Sequence, residues 1–381
     1  MKKKIAIIGA GVGGLTLANL LSKNSNFELM IYEREETLRL DEGFGVQLAV
    51  NSVSILNEIG FGEISQTEIF NPQKLEFYSN DKKICDLDLT QFNIDNEKYT
   101  TLKRSVLLKF LKDNLFSNIF RFKKSLEKIE TINGKIKIRF IDRTEDEVDY
   151  LVVSDGVFSK TKSLIESKDY SPNYVGFKAL RITVPKDKVK IFDSNNISIS
   201  MKPNAHLVIY PINQKICNVV MITRCNTALS KKLEDISFAK SFTKKTFNLS
   251  SEFDEYINYD LKHWSLYSSK NPVLSKIDNV FYLGDAFYTF LPSMAQGAAQ
   301  SIEAAKELYK ILNNSNQNKS EKYFKQRVKR TKLIENRAKL NFFSFHLSNS
   351  ISQIIRNFVL KKLVNSQTFI NSYLKKVYKN K

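Results

Sequence analysis

The stretch KKKIAIIGAGVGGLTLANLL, residues 2–21, decides the fold of this chain. The apolar run at residues 5–8 is typical of a buried parallel strand, and the leucines after the glycines recur at helical spacing. Between the two lies Gly9-x-Gly11-x-x-Gly14, in the strand–turn–helix order that the dinucleotide-binding fingerprint requires. The stretch therefore predicts the start of a doubly wound α/β domain.

Each glycine of the fingerprint has a physical task. Gly9 allows the tight turn, Gly11 lets the backbone approach a pyrophosphate, and Gly14 lets the helix and the strand pack closely. The helix N-terminus offers free N–H groups and a positive dipole end to the phosphates. A second strand at residues 27–32 is followed by Glu33, whose carboxylate can accept hydrogen bonds from ribose hydroxyls. The pattern predicts a dinucleotide site and fits either NAD or FAD.

Length and composition limit the class of protein. The 381 residues suffice for two domains, and a hydrophobic content of 42% supports a sizeable core. No apolar run approaches the length of a transmembrane helix, and the N-terminus enters a strand directly, unlike a signal peptide. The three cysteines, Cys85, Cys217 and Cys225, are far apart in the chain, which favours a reducing, cytoplasmic location. The histidines lack the spacing of metal ligands, so no metal site is expected.

The formal net charge of +19 is the most unusual feature of the composition. Such a charge fits a nucleic acid, an anionic membrane surface or an acidic substrate. Lysines are spread from Lys2 to Lys381 rather than gathered in one block. We therefore attribute the charge to a general abundance of lysine rather than to nucleic-acid binding. A nucleic-acid-binding protein would bind DNA or RNA in a salt-sensitive way and would hold no stoichiometric flavin.

The patterning along the chain predicts two interleaved domains and a helical tail. The doubly wound pattern occupies residues 1–72, 100–175 and 268–330. Short alternating strands, typical of an antiparallel sheet, occupy residues 73–99 and 176–267. Residues 331–381 are predicted to form C-terminal helices.

Three local patterns give sharper expectations. Asn133-Gly134 lies between two strand-like runs and predicts a hairpin with a type I′ turn. Residues 227–247 predict one charged helix, and residues 313–320 predict a polar linker.

The C-terminal stretch carries an apolar stripe at helical spacing, formed by Ile351, Ile354, Ile355, Phe358 and Val359. Such a stripe either packs on the parent domain or lies on an anionic membrane surface. We favour packing on the parent domain, so peripheral membrane contact is the lesser expectation.

Two further strand-to-turn motifs follow the fingerprint. Asp155-Gly156 follows the apolar strand in EVDYLVVSDG, and Gly284-Asp285 follows the strand in NVFYLGD. Asp285 can hydrogen-bond a polyol chain such as ribityl, or can serve as an ordinary turn acid. After Pro292, the run Gln296-Gly297-Ala298 opens a helix whose amides can stabilise negative charge on an electron-rich ring.

Together these stretches resemble the aromatic-ring flavoprotein monooxygenases, the single-component FAD hydroxylases of the salicylate, hydroxybenzoate and hydroxynicotinate type. The likeness is carried, in the family's order, by GVQLAVNSVSILNEIGF (45–61), TLKRSVLLKFL (101–111), SDGVFS (154–159), HLVIYPI (206–212) and GDAFYTFLPSMAQGAAQSIEAA (284–305). It implies a Rossmann-like FAD-binding domain interleaved with a mixed or antiparallel β-sheet substrate domain, followed by C-terminal helices.

The resemblance also implies a reaction and its partners. NADH or NADPH would reduce FAD, O2 would add at flavin C4a, and the resulting hydroperoxide would hydroxylate a small aromatic or heteroaromatic substrate. The residues that the resemblance assigns to FAD binding are Gly9, Gly11, Gly14, Glu33, Arg34, Gln47, Arg104, Asp155, Gly156, Gly284, Asp285, Pro292, Gly297 and Ala298.

The candidate catalytic residues carry two interpretations each. His206 and Tyr210 point to one face of a strand, and the resemblance implies that they assist proton transfer. Alternatively, His206 is a structural residue of the strand whose imidazole donates a hydrogen bond to a backbone carbonyl. Tyr288 stands where the family has a histidine and either contacts the substrate or fills space. Gln296 either orients the substrate or begins a helix. Arg181 either binds a substrate carboxylate or is structural, and we favour the structural role.

Two alternative functions use the same scaffold. One is a flavin-dependent reductase or dehydrogenase that does not hydroxylate, and the other is a membrane-peripheral hydroxylase of the quinone type. Trp264 is the single tryptophan, so the paired-tryptophan motif of flavin-dependent halogenases is missing. We expect a monomer or homodimer.

Overall fold

The structure is a computed structural model that describes residues 2–38, 40, 44–249, 253–314 and 318–378. Its strands are β1 (Lys3–Ile8), β2 (Phe27–Tyr32), β3 (Gly45–Leu48), β4 (Ile69–Phe70), β5 (Lys74–Ser79), β6 (Lys82–Asp88), β7 (Thr100–Lys103), β8 (Phe120–Arg121), β9 (Leu126–Ile132), β10 (Lys135–Phe140), β11 (Glu145–Val148), β12 (Tyr150–Val153), β13 (Asn173–Pro185), β14 (Ile197–Lys202), β15 (Ala205–Pro211), β16 (Ile216–Arg224), β17 (Lys262–Ser268) and β18 (Val280–Tyr282).

The helices follow the same order along the chain. They are α1 (Val12–Ser22), α2 (Val50–Asn57), α3 (Arg104–Asp113), α4 (Lys160–Glu166), α5 (Thr227–Lys232), α6 (Ile236–Phe247), α7 (Asp254–Asp260), α8 (Gly297–Leu312), α9 (Lys319–Phe345), α10 (Ser350–Leu363), α11 (Gln367–Phe369) and α12 (Lys375–Tyr378), with a π-helical turn at Ile370–Leu374.

The expected doubly wound start is confirmed. β1 is the central strand of a parallel sheet with the order β18-β12-β1-β2-β8. β1 and α1 are almost fully buried, since Ile5, Ile7, Leu15 and Leu17 have no exposed surface. α8 packs beside α1 on this sheet. The carboxyl ends of β1, β12 and β18 therefore meet at one edge, where ligands bind in sheets of this kind.

A second, seven-stranded sheet has the order β17-β13-β16-β15-β14-β5-β6. The predicted antiparallel pattern is confirmed for β13 to β16, whereas β14 and β5 pair in parallel. The mixed fold class agrees with expectation. The division into domains remains a prediction, and β13 begins at Asn173, slightly before the boundary expected at residue 176.

The local predictions had different outcomes. The hairpin is confirmed, because β9 and β10 pair around Asn133 and Gly134, which both have positive φ angles as a type I′ turn requires.

The prediction of a single helix over residues 227–247 is wrong. α5 ends at Lys232, and the Asp235 carboxylate accepts a hydrogen bond from the Phe238 N–H to cap α6. An aspartate favours such a cap over a helix interior. Part of the linker expected at residues 313–320 lies outside the described residues.

The expectation that the apolar stripe of α10 packs on the parent domain is also wrong. Ile351, Ile354, Ile355, Phe358 and Val359 are all exposed. Within the described part of the chain, no helix is both long and apolar enough to cross a membrane.

A buried ion pair joins the C-terminal helix α9 to α8. Arg330 of α9 donates two hydrogen bonds to the Glu303 carboxylate of α8, at 2.8 and 2.7 Å, and Asn51 of α2 donates a third. Arg330 also donates to the backbone carbonyls of Lys376 and Val377 near the chain end. One guanidinium therefore holds three separate segments together.

We expect Arg330→Met to destabilise the protein by about 3–5 kcal/mol, because removing one partner leaves the Glu303 charge buried and unpaired. Lys325→Met is a matched control on the same helix, since Lys325 forms an exposed pair with Glu321 and such pairs contribute at most about 1 kcal/mol. Thermal unfolding of both variants measures the effect. Equal midpoints for the two variants would show that the buried pair does not hold the helices.

Candidate functional site

A cavity of about 450 Å³ lies where one face of the seven-stranded sheet meets the loops after β12 and β18 and the N-terminus of α8. Its size is typical of a small-molecule site. Strand register explains the sheet side of its wall, because residues paired across neighbouring strands point to the same face. The aliphatic residues of this face are Leu75, Ile197, Ile199, Val208, Val220 and Ile222.

Arg181 provides a positive charge in this wall. It pairs in register with Val220, which pairs with Val208 on the next strand. Its guanidinium lies 5.4 Å from the ring centroid of Trp264, and its buried Nε has no hydrogen-bond partner among the described residues. Burial lowers the pKa of Arg181, and the nearby Arg104 lowers it further. A half-buried cation whose Nε is buried without a partner is costly unless a ligand pairs with it.

His206 of β15 lines the same cavity and is hydrogen-bonded to a second histidine. The Nδ1 atom of His206 lies 2.8 Å from Nε2 of His346, which follows α9. His346 Nδ1 lies 2.6 Å from the carbonyl oxygen of Phe342. Both rings are buried, with exposed fractions of 1% and 6%. Burial lowers the pKa of both, that of His346 to about 4, so both rings are neutral near pH 7.

This chain of hydrogen bonds determines where the ring protons lie. A carbonyl oxygen only accepts, so His346 Nδ1 carries a proton and donates to Phe342. The neutral ring of His346 then has an unprotonated Nε2, which accepts from the Nδ1–H of His206. The remaining nitrogen of His206, Nε2, therefore has a free lone pair and can accept a proton or a hydrogen bond.

Tyr210, four residues after His206 on β15, belongs to a polar group at the same wall. Tyr210 and Gln47 both line the cavity, and Gln47 interacts with the Tyr210 phenol. Tyr99 donates a hydrogen bond to Gln47 Oε1 at 2.9 Å. Burial raises the pKa of Tyr210 to about 12, so this phenol is neutral at physiological pH.

The fingerprint glycines have contrasting surroundings. A Cβ atom at Gly9 would lie 2.6 Å from the Ser154 carbonyl oxygen, and one at Gly14 would lie 2.4 Å from the Gly9 carbonyl oxygen. A Cβ atom at Gly11 would meet nothing within 4 Å. α1 has no side-chain cap and no acidic residue in its first turn. The turn is therefore tight on its inner side and open towards an anion on its outer side.

Glu33 and Arg34 lie beyond the end of β2. The Glu33 carboxylate accepts hydrogen bonds from the Ala10 N–H at 2.9 Å and the Glu35 N–H at 3.1 Å. Glu33 is thus tied to the fingerprint turn. Arg34 is exposed and pairs with Glu35 at 3.4 Å.

The two Asp-containing loops meet at the edge of the parallel sheet. Asp155 accepts from the Thr161 N–H through one oxygen, while its buried Oδ1 has no partner among the described residues. Gly156 has φ +91° and open space where a Cβ would lie. The amine of Lys162 on α4 donates to the Ala286 carbonyl at 3.0 Å, which connects the loop after β12 to the loop after β18.

Asp285 lines the cavity, and its side chain is exposed there. Desolvation raises its pKa to about 6, and the positive charge of Arg104 counteracts part of that rise. Gly284 has φ +62°, and a Cβ there would lie 2.8 Å from Ser301 Oγ. This glycine therefore lets α8 approach the loop that carries Asp285.

The N-terminus of α8 opens into the cavity. Pro292 and Gly297 are exposed there, Ala298 is half-buried, and a Cβ at Gly297 would meet nothing within 4 Å. Gln296 is buried at the cavity wall and accepts a hydrogen bond from Gln300 at 3.1 Å. No side chain caps this helix. Its first amide groups and positive dipole end can therefore face a ligand.

Tyr288 is the one candidate catalytic residue that the structure does not bring to this cavity. It is buried, its ring packs on Phe290, and its phenol interacts with Glu335 of α9, which together with burial raises its pKa. Its position favours the space-filling interpretation.

Four residues of the site were missed or undervalued by sequence reasoning. From the sequence alone, a structural Arg181 is predicted, Trp264 serves only to exclude halogenases, His346 is considered only as a metal ligand and no role is assigned to Tyr99. The position of Arg181 in the cavity wall depends on the register between β13 and β16, which cannot be read from the sequence. His346 lies 140 residues after His206, and no local pattern links them.

The described residues fit FAD. The open turn at Gly11 and the unpartnered Asp155 oxygen lie at the carboxyl ends of β1 and β12, while Asp285 and the uncapped start of α8 line the cavity. Among the described residues, no group of three or more His, Cys, Asp and Glu side chains could hold a metal ion.

Comparison with known proteins agrees with this geometry. The FAD binding domain family matches residues 2–335. A 3-amino-4-hydroxybenzoate 2-monooxygenase of Streptomyces platensis is 23% identical over 372 residues, covering 93% of this chain and 92% of that protein. A 6-hydroxynicotinate 3-monooxygenase of Pseudomonas fluorescens is 26% identical over 329 residues, covering 81% of this chain and 82% of that protein.

The fold has a similar solved structure. HpxO of Klebsiella pneumoniae, solved with FAD and uric acid, superposes with a TM-score of 0.84 at 17% identity, over 98% of this chain and 97% of that one. The cofactor is FAD, and the chain belongs to the FAD binding domain family, among the FAD-dependent aromatic-ring monooxygenases.

Proposed function

We propose that this protein hydroxylates a small aromatic or heteroaromatic ring that carries both a carboxylate and a hydroxyl group, using FAD, NADH or NADPH, and O2. The observation that carries the proposal is the Arg181 guanidinium in the cavity wall, a half-buried side chain whose buried Nε has no partner among the described residues. A carboxylate would neutralise this charge through a charge-assisted, bidentate contact. The two relatives reported above act on a hydroxybenzoate and a hydroxynicotinate, which are compounds of this class.

The spacing of the wall suits such a substrate. Arg181 and His206 lie on strands separated by one other strand, so their strand axes are about 10 Å apart. A ring with its carboxylate on Arg181 can extend its hydroxyl group towards His206 across the aliphatic wall. Val208, Val220 and Ile222 would contact the ring and exclude water from it.

The histidine pair prepares the substrate hydroxyl. The acceptor nitrogen of His206 takes a hydrogen bond or the proton from this hydroxyl, which increases the electron density of the ring. His346 acts through His206 and is a positioning residue, because it holds the proton of His206 on Nδ1. Tyr210 and Gln47 supply further hydrogen bonds at the same wall.

FAD, when bound and reduced by NADH or NADPH, would activate O2, so that one oxygen atom is transferred to the ring and the other leaves as water. We assign the pyrophosphate to the turn at Gly11, the ribityl chain to Asp285 and the flavin ring edge to the N-terminus of α8. Gln296 lies at the boundary between the flavin end and the substrate end of the cavity. Glu33, through its bonds to the fingerprint turn, marks the adenosine end.

We expect Arg181→Gln to raise KM for carboxylated phenols by about 10- to 100-fold, because a hydrogen bond to a charged group contributes about 1.5–3 kcal/mol. Uncharged phenols should be affected little. Oxygen uptake with NADH or NADPH, with hydroxylated product and peroxide quantified, measures both substrate classes. Arg143→Gln changes an exposed arginine and serves as the control.

Either of two results would contradict the proposed substrate class. If the wild-type protein used neutral and carboxylated rings equally well, Arg181 would not select for an acid. If no ring compound were hydroxylated while reduced nicotinamide was consumed, the protein would be a reductase on this scaffold.

We expect His346→Leu to lower kcat by about tenfold or more with little change in KM, since His206 loses the acceptor that fixes its tautomer. His346→Gln should keep most of the activity, because its amide can accept from His206 and donate to the Phe342 carbonyl. Steady-state kinetics of the two variants at equal flavin content measure the difference. Equal losses in both would assign His346 a packing role only.

The same pair makes stability depend on pH. The pKa of His346 is lowered to about 4 in the folded protein, whereas an unfolded histidine titrates near 6.5. The unfolded chain therefore binds protons first as the pH falls, and stability that is complete above about pH 6.5 is lost between about pH 6.5 and 4. The thermal midpoint of His346→Gln should fall less than that of the wild type over this range.

The fingerprint offers a matched pair of glycine variants. Gly11→Ala should fold with an unchanged thermal midpoint without FAD but bind FAD about tenfold or more weakly, because its Cβ enters only the space assigned to the pyrophosphate. Gly14→Ala should fold poorly, since its Cβ would overlap the Gly9 carbonyl oxygen. Flavin fluorescence titration and thermal unfolding separate the two effects. Wild-type FAD affinity in Gly11→Ala would remove the turn from the cofactor site.

A further inference from the structure

Helix α10 is oriented with its apolar face outwards. Ile351, Ile354, Ile355, Phe358 and Val359 form this outer face, at the spacing i, i+3, i+4, i+7 and i+8 that aligns residues along one side of a helix. Their exposed fractions range from 44% to 67%. An amphipathic helix of a globular domain normally buries such a stripe. The outer face of α10 therefore has no counterpart in the core.

The opposite, polar face of α10 anchors it to the protein. Gln353 and Arg356 are buried, with exposed fractions of 8% and 7%. Arg356 donates to Ser79 Oγ at 2.8 Å and to the Ser344 carbonyl at 3.1 Å. Gln353 accepts a hydrogen bond from Asn80 at 3.2 Å. The orientation of the helix is thus fixed by hydrogen bonds that a rotated helix would lose.

The preceding helix adds to the exposed apolar surface. Leu340 and Phe343, near the end of α9, have exposed fractions of 57% and 69%. Seven of the seventeen large apolar side chains exposed among the described residues thus fall within residues 340–359. Scattered exposed apolar residues are normal, but such a concentration marks an interaction surface.

The charge of this region indicates what covers the outer face. Residues 336–381 contain nine lysines and arginines and no aspartate or glutamate. Lys361 and Lys362 are exposed near the end of α10, whereas Lys339 of α9 is exposed but forms an ion pair with Glu335. A second copy of the chain would bring the same positive charge against this one, whereas an anionic surface would complement it.

We propose that α10 docks on an anionic phospholipid surface, with its outer face in the boundary between headgroups and acyl chains and its lysines against lipid phosphates. Helices that lie in membrane interfaces combine an apolar face with lysine-rich flanks in this way. Each lysine near such a surface contributes an attraction that falls with ionic strength. This contact is peripheral and is independent of the hydroxylation proposed above.

Co-sedimentation of the FAD-loaded full chain with phosphatidylcholine vesicles, with and without phosphatidylglycerol, tests the proposal. We expect binding to the vesicles that contain phosphatidylglycerol and weaker binding as salt is added. Ile354→Ser with Phe358→Ser should reduce the partition coefficient by about tenfold or more. The matched control is Ile141→Ser with Phe116→Ser, which changes equally exposed side chains elsewhere and should bind like the wild type.

The contribution of charge is tested separately. Lys361→Glu should weaken binding by about fivefold or more, because about 1 kcal/mol is lost per lysine at such a surface. Lys215→Glu makes the same change in net charge at an exposed site outside this region and should have a much smaller effect. None of these side chains contributes to the cavity, so flavin content and thermal midpoints should be unchanged.

Three results would overturn the proposal. The first is a wild-type protein that ignores anionic vesicles, and the second is equal binding by the outer-face and control double variants. The third is a wild-type dimer in solution that Phe358→Ser converts to a monomer without any vesicle binding, which would make the outer face an interface between two copies.

Discussion

The buried ion pair between Arg330 and Glu303 is the interaction on which the rest of the structure depends. It joins α9 to α8 and, through backbone carbonyls, holds the end of the chain. A desolvated pair is stable only when its geometry is nearly ideal, so it allows the two helices little relative movement. The N-terminus of α8 lines the end of the cavity that we propose for the flavin, and His346 follows α9 and is hydrogen-bonded to His206. Both ends of the cavity are therefore positioned from one ion pair.

Within the cavity, the chemistry follows from where charge is present and where it is missing. Arg181 keeps its charge among aliphatic residues, whereas the two histidines are neutral because burial disfavours their protonated forms. The low local polarity strengthens the electrostatic interactions of both groups, so in the proposed function it favours a carboxylate at Arg181 and a hydroxyl group at His206. In the proposed function, this wall has an anion-binding end at Arg181 and a proton-accepting end at His206, and strand register sets the distance between the two strands.

The parts of this arrangement that the sequence predicts are those that depend on neighbours in the chain. The fingerprint turn is readable because Gly9 and Gly14 contact each other within one strand–turn–helix unit, and the Asn133-Gly134 hairpin is readable for the same reason. The loop motifs that contain Asp155 and Asp285 are equally local. In the sheet wall of the cavity, the sequence predicts the pair His206 and Tyr210, because both lie on β15. It does not predict Arg181 of β13, which comes to the same face because β13 and β15 both pair with β16. His346 reaches the site only through the packing of α9, so its role required coordinates.

Helix α10 shows a different limit of sequence patterns. The spacing of Ile351, Ile354, Ile355 and Phe358 predicts correctly that these residues share one face of the helix. The spacing alone does not determine whether that face is buried or exposed. The usual choice rests on the free energy gained by burying apolar surface. In α10 this gain competes with two hydrogen bonds, because a rotated helix would leave the Ser79 hydroxyl and the Ser344 carbonyl without the guanidinium of Arg356. Leaving a buried polar group unpaired costs about 1–3 kcal/mol, which is comparable to the burial of one large apolar side chain. The two hydrogen bonds of Arg356 therefore offset only part of the free energy that burying five apolar side chains would provide, and in the proposal above the remainder comes from the lipid surface that covers them.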